Sequence, residues 1–269
     1  MKRLVEFCLV HFILLLMMFP VLWIVILSIK TDADIVAWPP KLLFSPTIEN
    51  YAALFEGEFL KSFWNSLVTS VSSTVIALVI GVPGAYALSR LGRTTGSNML
   101  SLFILATRMA PPIAFTIPYF LAYRYTGLLD TKLGLTIIYL TINLSLVVWI
   151  MRTFFDTVPH TLEEAAWIDG ASLRQTFFKV ILPLTGPGLA ATAILCFLYA
   201  WNDFFFALVL SRTEARTAPV AVVNFLNYEG WEWGKVAAGS VMVMTPVLIF
   251  SLLVRKYLVS GMTAGAVKG

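Results

Sequence analysis

The sequence predicts an all-α polytopic membrane protein: six transmembrane helices, with a helix, a glycine elbow and a second helix between the fourth and fifth. Three observations predict it. Hydrophobic residues make up 59% of the chain and charged residues 13%, with a mean hydropathy of +0.84, too apolar for a soluble domain that must cover itself with polar surface. Six stretches, at roughly 7–29, 63–88, 99–123, 133–151, 184–210 and 238–257, approach the ~20 apolar residues that a spanning helix needs. Between the fourth and fifth runs the stretch "EEAAWIDGASLRQTFFKVILPL" is charged and punctuated by glycine and proline.

The first run follows Met1-Lys2-Arg3 as a signal peptide would. It is too long for a signal h-region and ends at Ile29-Lys30 without a small-residue cleavage site, so it reads as a retained anchor. The segment after it contains "WPPKLLFSPTIENY", whose three prolines disfavour a continuous helix and predict an ordered cap on the outer surface. Orientation follows the basic residues. With both termini cytoplasmic, inner segments hold ten Lys/Arg and outer ones eight, and the short inner loop "SRLGRTTGSN" carries Arg90 and Arg93 with no acid. The organisation is an anchor helix with its outer segment (1–62), then a five-helix core (63–269) that includes the loop at about 152–183 and a tail at about 258–269. A net charge of +4 without a clustered basic stripe argues against nucleic acid. Cys8 and Cys196 lie in separate apolar runs and define neither a disulfide framework nor a metal-ligand spacing. His11 and His160 have no companions at catalytic or metal spacing, so no catalytic residues and no metal are expected.

In the interrupting stretch, Thr161 followed by Glu164 fits a capping box that starts a helix. Gly170 can take the left-handed conformation that ends it. Ser172 with Gln175 repeats the cap, and Leu173, Phe177, Phe178 and Ile181 offer the second helix an apolar face. Pro183 marks the approach of the fifth span. Ala165 and Ala166 keep part of the first helix flat enough for close approach. Glu163, Glu164 and Asp169 make it acidic, which suits a protein partner better than an anionic membrane surface.

"EAAWIDG", nine residues, then "VILP" resembles the EAA motif, E-A-A-x3-G-x9-[IV]-x-L-P, of permease subunits of binding-protein-dependent ABC importers. "MAPPIAFTIPYF", "GLLDT", "AWNDFFFALVL" and the terminal "GMTAGAVKG" resemble the carbohydrate-uptake branch, in particular the smaller permease of maltose-type importers. The resemblance covers the chain from about residue 63 to its end. It implies a type I ABC importer permease in a bacterial-type cytoplasmic (inner) membrane. Its partners would be a second permease subunit, an ABC ATPase dimer and an extracytoplasmic solute-binding protein that delivers a sugar-class solute. The elbow would be a coupling helix contacting the ATPase through Glu163, Glu164, Ala165, Ala166, Asp169, Gly170, Leu182 and Pro183. The tail would reach the same ATPase through Gly261, Thr263, Gly265 and Lys268. The chain has no G-x-x-x-x-G-K-[ST] phosphate loop, so it is not expected to be an enzyme or to hold a cofactor; ATP and Mg would be bound by the partner.

Within the spans, Arg108 lies about 15 Å deep by helix rise, where a lipid-facing charge is costly. Pro111 and Pro112 favour a broken helix beside it, of the kind that lines cavities. Arg108 therefore lines the translocation path, or else snorkels or pairs with a carbonyl; the path is the reading adopted. Asn143 could bond solute or join two helices. Asn202 and Asp203, the latter about 28 Å along the fifth span, form either a polar rim or an interfacial belt anchored by Trp201. Tyr228, Trp231 and Trp233 suit docking of an external receptor better than a sugar platform. A secondary transporter remains the alternative, though it would require midplane coupling carboxylates and usually an internal repeat. An intramembrane enzyme would require a convergent catalytic set.

Overall fold

The computed structural model describes residues 2–91, 95–109, 111–227 and 230–264. Its elements, in chain order, are α1 (Lys2–Ser28), α2 (Asp32–Ile35), α3 (Glu49–Glu56), α4 (Phe59–Arg90), α5 (Thr95–Met109), a 3-10 turn (Pro112–Phe115), α6 (Thr116–Thr126) and α7 (Lys132–Asp156). There follow α8 (Thr161–Ile168), α9 (Leu173–Thr176), a π-helical turn (Phe177–Ile181), α10 (Leu182–Leu184), α11 (Gly186–Trp201), α12 (Phe205–Leu210) and α13 (Ala218–Val223). A two-residue hairpin, β1 (Leu226–Asn227) and β2 (Gly230–Trp231), precedes the long α14 (Trp233–Ala264). Among the described residues four helices are long and apolar enough to cross a membrane, or six if each of two bent pairs counts as one span.

The first bend has a local chemical cause. After Met109, the pair Pro111-Pro112 supplies no backbone donors, and the chain turns by 90° into the helical stretch Pro112–Thr126. The fifth span departs from the continuous helix expected at 184–210. It starts at Gly186, bent 77° from Leu173–Leu184, and stops at Trp201. There Asn202 Nδ2 donates to the Leu198 carbonyl, while Asp203 Oδ2 accepts the Ala207 amide and starts α12. The Asp203 side chain thus satisfies a backbone amide freed by the break.

The chain divides into two compact units, Met1–Trp64 with Thr217–Pro246, and Asn65–Arg216 with Val247–Gly269. In the first, Leu54, Phe59, Ala218, Ala221 and Ala238 form the core. Asn50 Nδ2 donates to the carbonyls of Ser28 and Lys30, and Asp32 accepts the Gly234 amide, which orders the irregular segment after α1. The most apolar stretch of α1 buries nothing within this chain, as expected of a helix whose neighbours are lipid or other subunits.

In the second unit, α7 packs along α11 and against α5. Its core joins Ala77, Ala85 and Tyr86 of α4 to Val147, Met151 and Phe155 of α7, and to Phe177, Ile181 and Cys196. Apolar lipid gives helices no hydrophobic reason to associate, so close packing has to hold them. Gly188 allows it: a Cβ there would lie 2.4 Å from the Phe154 ring. Trp201, which one of the two readings of this stretch made an interfacial anchor, is fully buried and stacks on Phe197 at 5.5 Å.

α14 continues past residue 257, where the sixth run was expected to end, through Ala264, so Gly261 and Thr263 have helical backbone. A helix already started by a long apolar span propagates at little cost through small residues. Gly265 and Lys268 lie outside the described residues, as does Tyr228.

Candidate functional site

Two features carry the functional geometry, one beyond the C-terminal end of α7 and one along the middle of that helix. The first is the elbow. His160, not Thr161, is the N-cap of α8, so the expected Thr161–Glu164 capping box does not form: Thr161 is already helical, and the amides of Glu163 and Glu164 both reach the His160 carbonyl. A tertiary contact takes the place of that cap. Glu163, grouped above with the partner-facing residues, turns inward. It is 2% exposed, pairs with Arg90 Nε and accepts a 2.9 Å bond from the Tyr86 hydroxyl. Arg90 also donates to the carbonyls of Phe155 and Val158 around the end of α7. Ser89 donates to Asp156 at 2.5 Å beside it.

α8 ends in a Schellman motif: Ala171 N–H bonds the Ala166 carbonyl, Gly170 N–H bonds that of Trp167, and Gly170 has φ +81°. Ser172 and Gln175 form the expected capping box. The apolar face of the second helix is narrower than expected. Phe177 and Ile181 enter the core, with Phe177 5.0 Å from the Tyr86 ring, whereas Leu173 and Phe178 are exposed. Here the π-helical turn changes the angular step between residues, so the 3.6-residue spacing no longer selects one face. With Glu163 and Phe177 rooted inward, Glu164, Ala165, Trp167, Ile168, Asp169, Gly170 and Pro183 stay exposed, and Ala166 and Leu182 are half-buried. Ile168 is 87% exposed.

The second feature is a cavity of about 600 Å³. The break after α5 delivers Arg108 and Pro112 to it, α7 delivers Tyr139 and Asn143, and the break after α11 delivers Asp203. The guanidinium of Arg108 lies over the Tyr199 ring, 4.7 Å from its centroid. Asp203 Oδ2 accepts the Tyr139 hydroxyl at 3.0 Å. Asn143 is fully buried and donates to Ser73 Oγ at 3.4 Å. Four of the six residues expected on the path, Arg108, Pro112, Asn143 and Asp203, therefore meet at one cavity. Pro111 shapes the bend without lining it, and Asn202 is exposed and occupied with its own helix. The aromatic lining, Phe115, Tyr119, Tyr139, Tyr199 and Phe206, was not singled out from sequence because tyrosines and phenylalanines in spans look like ordinary packing. Arg90 and Tyr86 were missed likewise: Arg90 counted only as an orientation charge.

Asp130, of the "GLLDT" stretch, holds the turn between α6 and α7 against the segment after α12. It sits at φ +57°, and its carboxylate accepts the amides of Arg212, Thr213, Glu214 and Ala215 at 2.8–3.2 Å. Burial alone would raise its pKa, but these four donors outweigh it and bring the pKa from 3.8 down to about 2. A depressed carboxylate pKa adds stability that is complete above the unfolded value and is lost as pH falls through the folded one. Asp130→Asn should therefore flatten the dependence of melting temperature on pH between about 4 and 2. A melting series of the purified protein checks this; equal slopes for variant and wild type would count against it.

Comparison with known proteins gives the family and the fold. Residues 77–262 match the family model described as binding-protein-dependent transport system inner membrane component. The chain is 41% identical over 255 residues to the trehalose transport system permease protein SugB of Mycobacterium tuberculosis, covering 93% of this chain and 92% of that one. It is 35% identical over 257 residues to the trehalose/maltose transport system permease protein MalG of Thermococcus litoralis, covering 94% and 92%. Among solved structures, a chain of a bacterial ABC transporter involved in import of the acidic polysaccharide alginate superimposes with a TM-score of 0.79 at 29% identity, over 95% of this chain and 96% of that one. With its broken spans, its elbow and its matched length, the chain belongs to the family of binding-protein-dependent transport system inner membrane components.

Proposed function

We propose that this chain is the transmembrane permease subunit of an ATP-driven, binding-protein-dependent sugar importer, contributing half of the translocation path. It works in a cytoplasmic (inner) membrane with both termini inside. Its partners are a second permease, an ABC ATPase dimer that holds ATP and Mg, and an extracytoplasmic solute-binding protein. The sugar class is supported by relatives named for trehalose, for trehalose/maltose and for sulfoquinovosyl glycerol.

The observation that carries the coupling role is the asymmetry of α8. One face is clamped to α4 through Glu163 and Arg90, while Trp167 and Ile168 stand 49% and 87% exposed beside the Gly170 elbow. Large apolar side chains exposed on a rigid, short helix suit a protein cleft. Motion imposed on that face passes through the buried ion pair to the ends of α4 and α7, as a rigid-body displacement. The tail residues Gly261, Thr263, Gly265 and Lys268 are assigned to the same ATPase.

Two substitutions test the coupling. Glu164→Lys reverses the exposed charge at the helix start, and Gly170→Pro cannot adopt φ +81° because proline is held near −65°. Each should lower sugar uptake into proteoliposomes holding the assembled importer by at least about 10-fold, the effect of some 1.4 kcal/mol, while the chain still inserts. Wild-type uptake by both variants would remove the coupling role.

A further inference from the structure

We infer that this chain carries a saccharide subsite of its own in the cavity lined by Arg108, Asn143, Tyr199 and Asp203, and that it takes a neutral sugar of one or two rings. The inference rests on the importer reading above and adds to it the subunit that holds the solute. A sugar offers apolar C–H faces and an edge of hydroxyls, so its site needs ring faces and planar groups that give and accept paired hydrogen bonds. The cavity has both. Phe115, Tyr119, Tyr199 and Phe206 bring ring surface to its walls.

Arg108 is the donor. Tyr199 holds its guanidinium in place, and among the described residues none of its N–H groups has a hydrogen-bond partner. Acceptors line the same cavity. Asp203 is steadied by Tyr139 and the Ala207 amide, both on Oδ2. The hydroxyls of Thr107, Thr141 and Ser145 donate to helix carbonyls of Ile104, Ile138 and Ile142, so only their lone pairs remain for a ligand. Asn143, 1% exposed at the cavity border, has an Oδ1 with no partner among the described residues. A buried acceptor without a donor is costly and calls for a hydrogen-bond partner.

Charge selects the ligand class. Arg108 and Asp203 line one cavity without forming an ion pair, so one positive and one negative group face the solute. Sugar hydroxyls suit both groups, since a hydroxyl can accept from the guanidinium and donate to the carboxylate. An ionised sugar would meet one attractive and one repulsive charge, and an apolar solute would leave both unpaired. The volume, about 600 Å³, lies inside the roughly 300–1,000 Å³ range of small-molecule sites.

The test uses the importer assembled with its partner subunits in proteoliposomes, with radiolabelled trehalose, maltose, glucuronate and methionine as probes. Uptake of trehalose or maltose is expected; uptake of methionine alone would sink the sugar-importer reading and the subsite with it. Arg108→Ala and Tyr199→Ala should each reduce neutral-sugar uptake by about 10-fold or more and change the trehalose-to-maltose ratio, whereas Tyr199→Phe, which keeps the ring face, restores the wild-type ratio. Neutral-sugar uptake that persists with unchanged ratio in both alanine variants would overturn the subsite while leaving the importer standing. Preference for glucuronate would overturn its neutrality. Should the alanine variants fail to assemble, Thr107→Cys in a Cys8→Ser background gives a second readout. Transported sugar should protect that cysteine from an aqueous thiol reagent, and equal labelling with and without sugar would overturn the proposal.

Discussion

Replacing Arg90 by alanine is expected to destabilise the protein by about 3–5 kcal/mol, the cost of leaving a buried charge without its partner. The Glu163 side chain is 3% exposed and that of Arg90 14%, so water cannot take over when the guanidinium is removed. The Tyr86 hydroxyl remains as a donor, but one neutral hydrogen bond does not replace an ion pair. The carbonyls of Phe155 and Val158 lose donors in the same step. A lower melting temperature in detergent should therefore accompany faster proteolysis around residues 157–172. The double variant Arg90→Met with Glu163→Leu removes both charges and should recover most of the lost stability, because desolvation largely cancels the attraction within a buried pair. An Arg90→Ala protein that melts like wild type would show the pair to be incidental.

Trp201→Ala should cost about 3 kcal/mol, the low end of the roughly 3–5 kcal/mol range for emptying a buried aromatic site. The low end applies because, in a membrane, the unfolded side chain lies in lipid and not in water. The transfer contribution largely vanishes and the cavity contribution remains. Trp201 is 1% exposed, stacks on Phe197 and ends α11 immediately before Asn202 and Asp203. Its loss should loosen the break that aims Asp203 at the cavity, so sugar uptake should fall along with stability. Reversible unfolding in mixed detergent micelles measures the first effect. A change below about 1 kcal/mol, the range of volume-conserving swaps, would place Trp201 at a forgiving membrane interface after all.

The contrast between Trp201 and Pro111-Pro112 shows what sequence alone conveys. Two consecutive prolines abolish backbone donors wherever they fall, so the bend after α5 was legible without a structure. The glycine elbow was legible for the same reason: a residue without a Cβ is the natural one at φ +81°, and Ser172 with Gln175 needs only local geometry to cap α9. Thr161 with Glu164 presented an equally good local pattern and does not form, because Glu163 is drawn inward to an arginine 73 positions earlier. Capping is worth about 1 kcal/mol, less than satisfying a buried carboxylate.

The unbroken spans, the bend after α5, the elbow and the class of membrane protein were set by the sequence itself, since each depends on apolar length or on backbone chemistry within a few residues; the break in the fifth span was not. Which polar groups share a cavity was decided only in the tertiary structure. Arg108, Asn143, Tyr199 and Asp203 stand on different elements. Their meeting depends on the angle at two broken helices and on close packing such as Gly188 against Phe154, to which local propensity is blind. The same holds for Arg90 and Glu163: a charge at the end of one helix and a charge at the start of another read as surface residues until packing removes the water between them.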